Sequence, residues 1–305
     1  MGSARTRLGI AGERFTLNGR PAFLLGFSYY GGLGASRDTL RQDLDFFSRR
    51  GCNWLRVWAT WDAYGDMSAV DTKGEPRQPY LGRLVSLVAE CDRRGMVVDV
   101  TLTRGRLLAD LPTHRRAVAV IITALQGYHN WYLDLANERD IGDARHVSLA
   151  DLTELRADAR RLAPGLLVTA SSGVSRDSLA AYLDTGVDFL APHRPRDPDS
   201  PGHTAAATGE LLGWLREIGR AMPIHYQEPF RRGYAPRHWE PAAADFRLDL
   251  DGARGAGAAG WCFHNGTQKG APGEQPRRSF DLSSSPLCQQ LDAQELEFVR
   301  SLPAR

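Results

Sequence analysis

Eight short apolar runs, each closed by a polar or aromatic cluster and most followed by a helical pattern, constrain this chain more than any other feature. They are FLLGF (23–27), WLRVWA (54–59), MVVDVTL (96–102), WYLDLA (131–136), LLVTA (166–170), VDFLA (187–191), PIHYQ (223–227) and AAGWCF (258–263). Apolar strands alternating with helices call for a parallel sheet covered on both faces. Eight such units in 305 residues, spaced 20 to 45 apart, predict an α/β fold, a (β/α)8 TIM barrel forming a single domain over 1–305. An open doubly wound sheet is the runner-up, but it would carry GxGxxG after its first strand, and GFSYYGGLG lacks that spacing.

The segments between the runs carry helix signals. Ser36 is placed to cap a helix with Leu40, Leu44 and Phe47 on one face before Gly51. Leu84, Leu87, Val88 and Cys91 repeat that spacing before Gly95; further helices are expected from Thr113, from Ser148, over 205–220, and in the closing DAQELEFVRSL. Ahead of the first strand, GERFTLNGRPAFLL predicts a short β-hairpin turning at Asn18-Gly19 and closing the barrel floor. The long irregular stretches, 62–79, 192–204, 229–241 and 264–290, all follow strands. In a barrel they gather at the C-terminal mouth, where active sites are built, and the last is long enough to form a wall or lid.

Composition excludes several classes. Lys and Arg total 38 against 36 Asp and Glu, so a formal charge of +2 gives no field suited to nucleic acid or an anionic membrane. Cys52, Cys91, Cys262 and Cys288 lack both CxxC spacing and disulfide density, and are expected to be buried thiols. No run approaches the ~20 apolar residues of a membrane span. MGSARTRLGI lacks the apolar core of a secretory signal, so the chain is expected to be cytoplasmic if complete and secreted if a signal was removed. Oligomeric state is not readable at this level.

The fourth run ends in Asn137-Glu138 and the seventh in Gln227-Glu228, 90 residues apart. In an eight-stranded barrel these carboxylates face each other across the mouth. Glycoside hydrolysis needs such a pair, one protonated to release the leaving oxygen and one ionised to attack the sugar carbon or activate water. Arg56 interrupts an apolar strand and is placed to pair with an ionised carboxylate, either Glu228 or the strand residues Asp99 and Asp134. Aromatic residues crowd the same strand ends: Tyr29, Tyr30, Trp58, Trp61, Phe230, Tyr234 and Trp261. Such rings stack on the C–H faces of sugars.

The constellation resembles clan A of the glycoside hydrolases, nearest the family five cellulases and mannanases. NGRPAFLLG, Arg56 in LRVW, Asn137-Glu138, His193, Glu228 and Trp261 occur in the order and spacing of that family. The resemblance implies a retaining β-glycosidase with Glu138 as acid/base, its pKa kept high by a neighbouring negative charge, and Glu228 as nucleophile. It implies that Asn137 binds the sugar 2-hydroxyl, that His193, Arg56, Trp58, Tyr30 and Tyr226 serve the substrate or nucleophile, and that Trp261 forms a sugar platform. The substrate would be a carbohydrate, with no metal and no cofactor required. His193 and His203 alone do not make a metal site.

Two departures stand out. TLTRGR puts Thr103 and Arg104 where many members carry histidine, and HRPRD lacks the tyrosine usual after strand six, a gap Tyr226 fills only if strand seven bends. They leave open a second reading, a carbohydrate-binding barrel with weak or lost hydrolase activity. A Schiff-base aldolase is disfavoured, because Lys73 and Lys269 both fall in long loops.

Overall fold

The computed structural model describes residues 6–62, 65–233, 239–266 and 280–303. The chain enters through an antiparallel meander, β1 (Leu8–Ala11), β2 (Arg14–Leu17) and β3 (Arg20–Ala22). Asn18 and Gly19 turn between the last two with φ of 53° and 78°, the left-handed pair that a two-residue hairpin demands.

Strands and helices then alternate: β4 (Leu24–Ser28), α1 (Arg37–Ser48), β5 (Trp54–Trp58), α2 (Tyr80–Arg93), β6 (Val97–Thr101), α3 (Leu111–Leu125), β7 (Trp131–Asp134), α4 (Leu149–Leu162) and β8 (Val168–Thr169). They continue as α5 (Arg176–Leu183), α6 (Ser200–Glu217), β9 (His225–Tyr226), α7 (Ala243–Gly255), β10 (Gly260–Phe263), α8 (Leu287–Gln290) and α9 (Ala293–Ser301). Ser36 and Ser148 cap α1 and α4 as their positions predict. The third helix begins earlier than Thr113 because the Asp110 side chain accepts the Thr113 N–H. Helices α5, α7 and the short α8 are additions to the sequence reading.

The parallel sheet runs β8-β7-β6-β5-β4-β10-β9. The expected sixth strand, 187–191, forms no ladder; it spans the gap between β8 and β9 through the single bridges Ser172–Pro192 and Leu190–Ile224. Its local chemistry explains this. The Asp188 carboxylate takes the Val168 N–H at 2.8 Å, and Pro192 has no N–H to give. With that segment in place the curled sheet closes as a (β/α)8 barrel.

Side-chain alternation sorts each strand. Leu55, Val57, Val98, Val100 and Leu133 face the helices in the outer core, whereas Trp54, Val97, Tyr132 and Phe189 form a separate inner cluster at the barrel's base. Phe15 of β2 is fully buried in that cluster, edge-on to Phe189 with ring centroids 5.0 Å apart. The meander is therefore the floor plug. Gly26 has no room for a side chain, because a Cβ would stand 1.8 Å from the Trp54 carbonyl oxygen. Among the described residues, no helix is long and apolar enough to cross a membrane. The four cysteines are free thiols, Cys288 only partly buried.

Phe15→Ala should open the floor and cost about 3–5 kcal/mol, read as a lower denaturation midpoint. A loss below about 1 kcal/mol would mean that the plug does not hold the barrel closed.

Candidate active site

Above the apolar floor the barrel axis turns polar. Arg56, fully buried, points inward from β5 into a ring of acceptors. Its Nη1 donates to Glu228 Oε1 at 2.6 Å, and its Nη2 to Asp134 Oδ2 and Asn137 Oδ1, both at 2.8 Å. Nε donates to Thr101 Oγ1 at 2.9 Å and lies 3.2 Å from Asp99 Oδ2. Both alternatives for Arg56 are thus realised at once. The Asp99 carboxyl is raised by its burial against the opposing pull of Arg56, which lightens the negative charge that one guanidinium must balance.

Glu228 lies just past β9 and is buried. Its Oε2 accepts from Arg196 Nη2 at 2.7 Å, and its Oε1 lies 3.3 Å from the Tyr30 hydroxyl. Burial alone would raise this carboxyl; His193, Arg56 and Arg196 outweigh it and hold the group well below the ordinary value. Glu228 is an anion.

Glu138, four residues past β7, takes a left-handed backbone with φ of 48°, fixed by donation of its N–H to Ser171 Oγ at 3.0 Å. Its side chain is 23% exposed and lies 3.2 Å from His193 Nδ1. Arg196 and Arg145 each reach it at 3.3 Å. The expectation of a raised pKa is not met. Burial does raise it, but the hydrogen bond from His193 and the charges of His193 and Arg196 carry it below the ordinary glutamate value, against the repulsion of Glu228. Oxygens of Glu138 and Glu228 and a nitrogen of His193 lie within 4.8 Å of one another. Three such atoms have the spread of a metal triad, but guanidinium groups already supply positive charge at Glu228, from Arg56 and Arg196, and at Glu138, from Arg196 and Arg145.

Glu138, Glu228, Arg145 and Arg196 line a cleft of about 810 Å³ at the C-terminal mouth, within the usual range of ligand sites. Tyr30 and Trp58 stack at 3.7 Å on its side, with Trp61 packed beside them. Asn137 lines the cleft as well.

Other sequence candidates lie elsewhere. Trp261 pairs in register with Leu25 and Tyr226, points outward, and packs against Phe298 of α9, so it offers no sugar platform. Parity decides this: the inward neighbours are Cys262 and His264. Tyr226 also faces the helices, its hydroxyl 2.7 Å from Thr208 of α6. The strand does bend after Tyr226, turning both Gln227 and Glu228 inward, yet the tyrosine beside Glu228 is Tyr30. Tyr29 bonds Asp43 and Phe230 packs on Phe246, both structural contacts. Tyr234 and the 267–279 part of the expected lid lie outside the described residues.

Sequence reasoning missed several members. His264 accepts at Nε2 from Arg231 at 2.8 Å, and its Nδ1 donates to the Pro229 carbonyl at 2.8 Å. Burial first, then Arg231, keeps it neutral, and its Nε2 lies 3.0 Å from the Tyr30 hydroxyl. Arg196 and Arg145 sit in loops where nothing but their charge marks them; Arg196, three residues past His193, was the more readable.

No protein-family model matches the sequence, and a search of curated proteins finds no match. Solved structures align over nearly the whole chain. One described as a glycoside hydrolase aligns with 98% of this chain and 74% of its own length, at 15% identity and TM-score 0.71. A mutant of a glycoside hydrolase family 5 mannosidase from Rhizomucor miehei aligns over 97% and 96%, at 16% identity and TM-score 0.60. An endo-1,4-beta-mannanase from Eisenia fetida aligns over 97% and 96%, at 15% identity and TM-score 0.64. At such identities the likeness is one of fold: the (β/α)8 barrel of this chain is similar to the barrels of these enzymes.

Arg56→Met would leave Glu228, Asp134 and Asp99 buried without their cation and should cost about 3–5 kcal/mol in denaturant unfolding at neutral pH. The Glu228 contribution has a definite sign. A depressed folded pKa stabilises above the unfolded value of about 4.3, so the deficit should shrink as pH falls below it, through the folded value.

Proposed function

We propose that this chain is a retaining β-glycoside hydrolase, its 305 residues forming one catalytic barrel. The observation that carries this is the carboxylate pair: an oxygen of Glu138 and an oxygen of Glu228 lie within 4.8 Å of each other at the floor of an aromatic-walled cleft, and Glu228 is held ionised. Inverting enzymes need ~6.5–9.5 Å between carboxyls to admit a water, whereas direct attack needs ~5–5.5 Å. The fold shared with glycoside hydrolases and mannanases supports the same reaction class.

In this mechanism Glu228 attacks the anomeric carbon as the bond to the glycosidic oxygen breaks, and Glu138 gives its proton to that oxygen. The sugar becomes an ester of Glu228. Glu138, now ionised, takes a proton from water, which attacks the same carbon and releases Glu228. Arg56 stabilises the leaving carboxylate in the second step and fixes Asn137, whose amide faces the cleft for the sugar 2-hydroxyl. Tyr30 and Trp58 offer the stacking wall, and His193 orients Glu138.

Glu228→Gln should abolish turnover of aryl β-glycosides while leaving the fold intact, and near-normal activity in that variant would end this mechanism. Glu138→Gln should slow substrates with poor leaving groups by about 10²–10⁴-fold, and activated aryl glycosides much less. His193→Ala tests the acid itself. Glu138 must be protonated to act, so loss of the donor that lowers its pKa should move the alkaline limb of the kcat profile to higher pH; an unmoved limb would remove His193 from this role.

One observation favours a second reading, a carbohydrate-binding barrel: Arg196 Nη2 contacts both carboxylates, at 3.3 and 2.7 Å, where a sugar would react. Binding of glycosides without release of the aryl group would support it.

A further inference from the structure

The cleft is unusually rich in guanidinium groups. Arg104, Arg106, Arg145, Arg196 and Arg231 line it, against the carboxylates of Asp62, Asp143, Glu138 and Glu228. Arg106 pairs with Asp62, and Arg145 with Asp143 at 2.7 Å. Arg104 is gripped at Nη1 by Asp151, while its Nε and Nη2 are buried with no acceptor. That pair forms one edge of the guanidinium, the fork that accepts a carboxylate bidentately. The loop bearing Arg104 and Arg106 touches the loop bearing Arg145, since a Cβ on Gly105 would lie 3.4 Å from Arg145 Cγ. These three arginines therefore share one wall.

The catalytic cycle changes the charge around these arginines. Arg145 and Arg196 both donate to Glu138, which the proposed mechanism requires in its protonated, neutral form when substrate is bound. At that moment Arg145 and Arg196 each lose a charged partner at Glu138, and Asp143 and Glu228 remain as carboxylates that pair with them. A neutral sugar supplies nothing to replace the charge lost at Glu138.

We infer that the substrate is an acidic glycan, carrying a carboxylate or sulfate ester near the scissile bond that binds the Arg104–Arg106–Arg145 wall. This rests on the hydrolase reading for its substrate but not for its test. An anionic group on the sugar draws Arg145 away from Glu138 and so frees the acid to keep its proton. Asp143, on the same loop, and Arg196, His193 and Glu228, from the facing segments, are the other charged or titratable groups around it.

The test is calorimetric binding of three matched β-linked oligosaccharides, one uronosyl, one O-sulfated and one neutral, to the wild-type chain and to Arg145→Gln and Arg106→Gln. Both arginines sit partly or largely exposed on loops, so each variant should fold, checked by circular dichroism. At least one acidic probe should bind about tenfold tighter than the neutral one, and the preference should fall to about twofold in Arg145→Gln. Which acidic probe wins separates carboxylate from sulfate. Equal or tighter binding of the neutral probe, no binding of either acidic probe, or a preference surviving in both variants overturns the inference. Turnover is read separately: tight acidic binding without cleavage upholds the ligand class and sinks the hydrolase, while cleavage of neutral glycosides without acidic preference does the reverse.

Discussion

A single guanidinium on the barrel axis ties the upper half of this structure together. Arg56 contacts four side chains projecting from three strands or their ends, those of Thr101, Asp134, Asn137 and Glu228, and it does so with no exposure to solvent. A lone buried cation would be intolerable; here each donor edge meets an oxygen, and the planar fork fixes where those oxygens lie. The position of Glu228 relative to Asn137 follows from one rigid group rather than from loop conformation.

The site above Arg56 is held by charge as much as by shape. Arg196 and His193, from the segment after the sixth stave, reach over both carboxylates, so the two glutamates sit in a shared positive environment. That suits Glu228 as an anion and works against Glu138 in the acid role of the proposed mechanism. Under the proposed mechanism the two neighbouring carboxyls face opposing demands, and the inferred acidic substrate, bearing its own charge, would resolve a conflict that a neutral sugar leaves in place.

Much of the scaffold was legible because it rests on local physics. Strand-length apolar runs, Ser36 and Ser148 at helix starts, and Asn18-Gly19 at a two-residue turn each act within a few residues of sequence. The sixth stave escaped, since whether VDFLA makes a ladder depends on what the Asp188 side chain and Pro192 do to its neighbours' hydrogen bonds. The outward turn of Trp261 follows from strand parity, yet parity needs a fixed reference residue, and only the packed barrel supplied one.

The sequence by itself determined the alternation of strands and helices, the floor plug, and a pair of glutamates at the ends of the fourth and seventh strands. Tertiary structure decided that Tyr30 rather than Tyr226 stands beside Glu228, that His264 joins it, and that Arg196 and Arg145 crowd Glu138. The physical reason is range. Secondary structure and capping are set by neighbours a few residues away, whereas the charge environment of a carboxylate sums over side chains brought from 7 to 198 residues away in sequence.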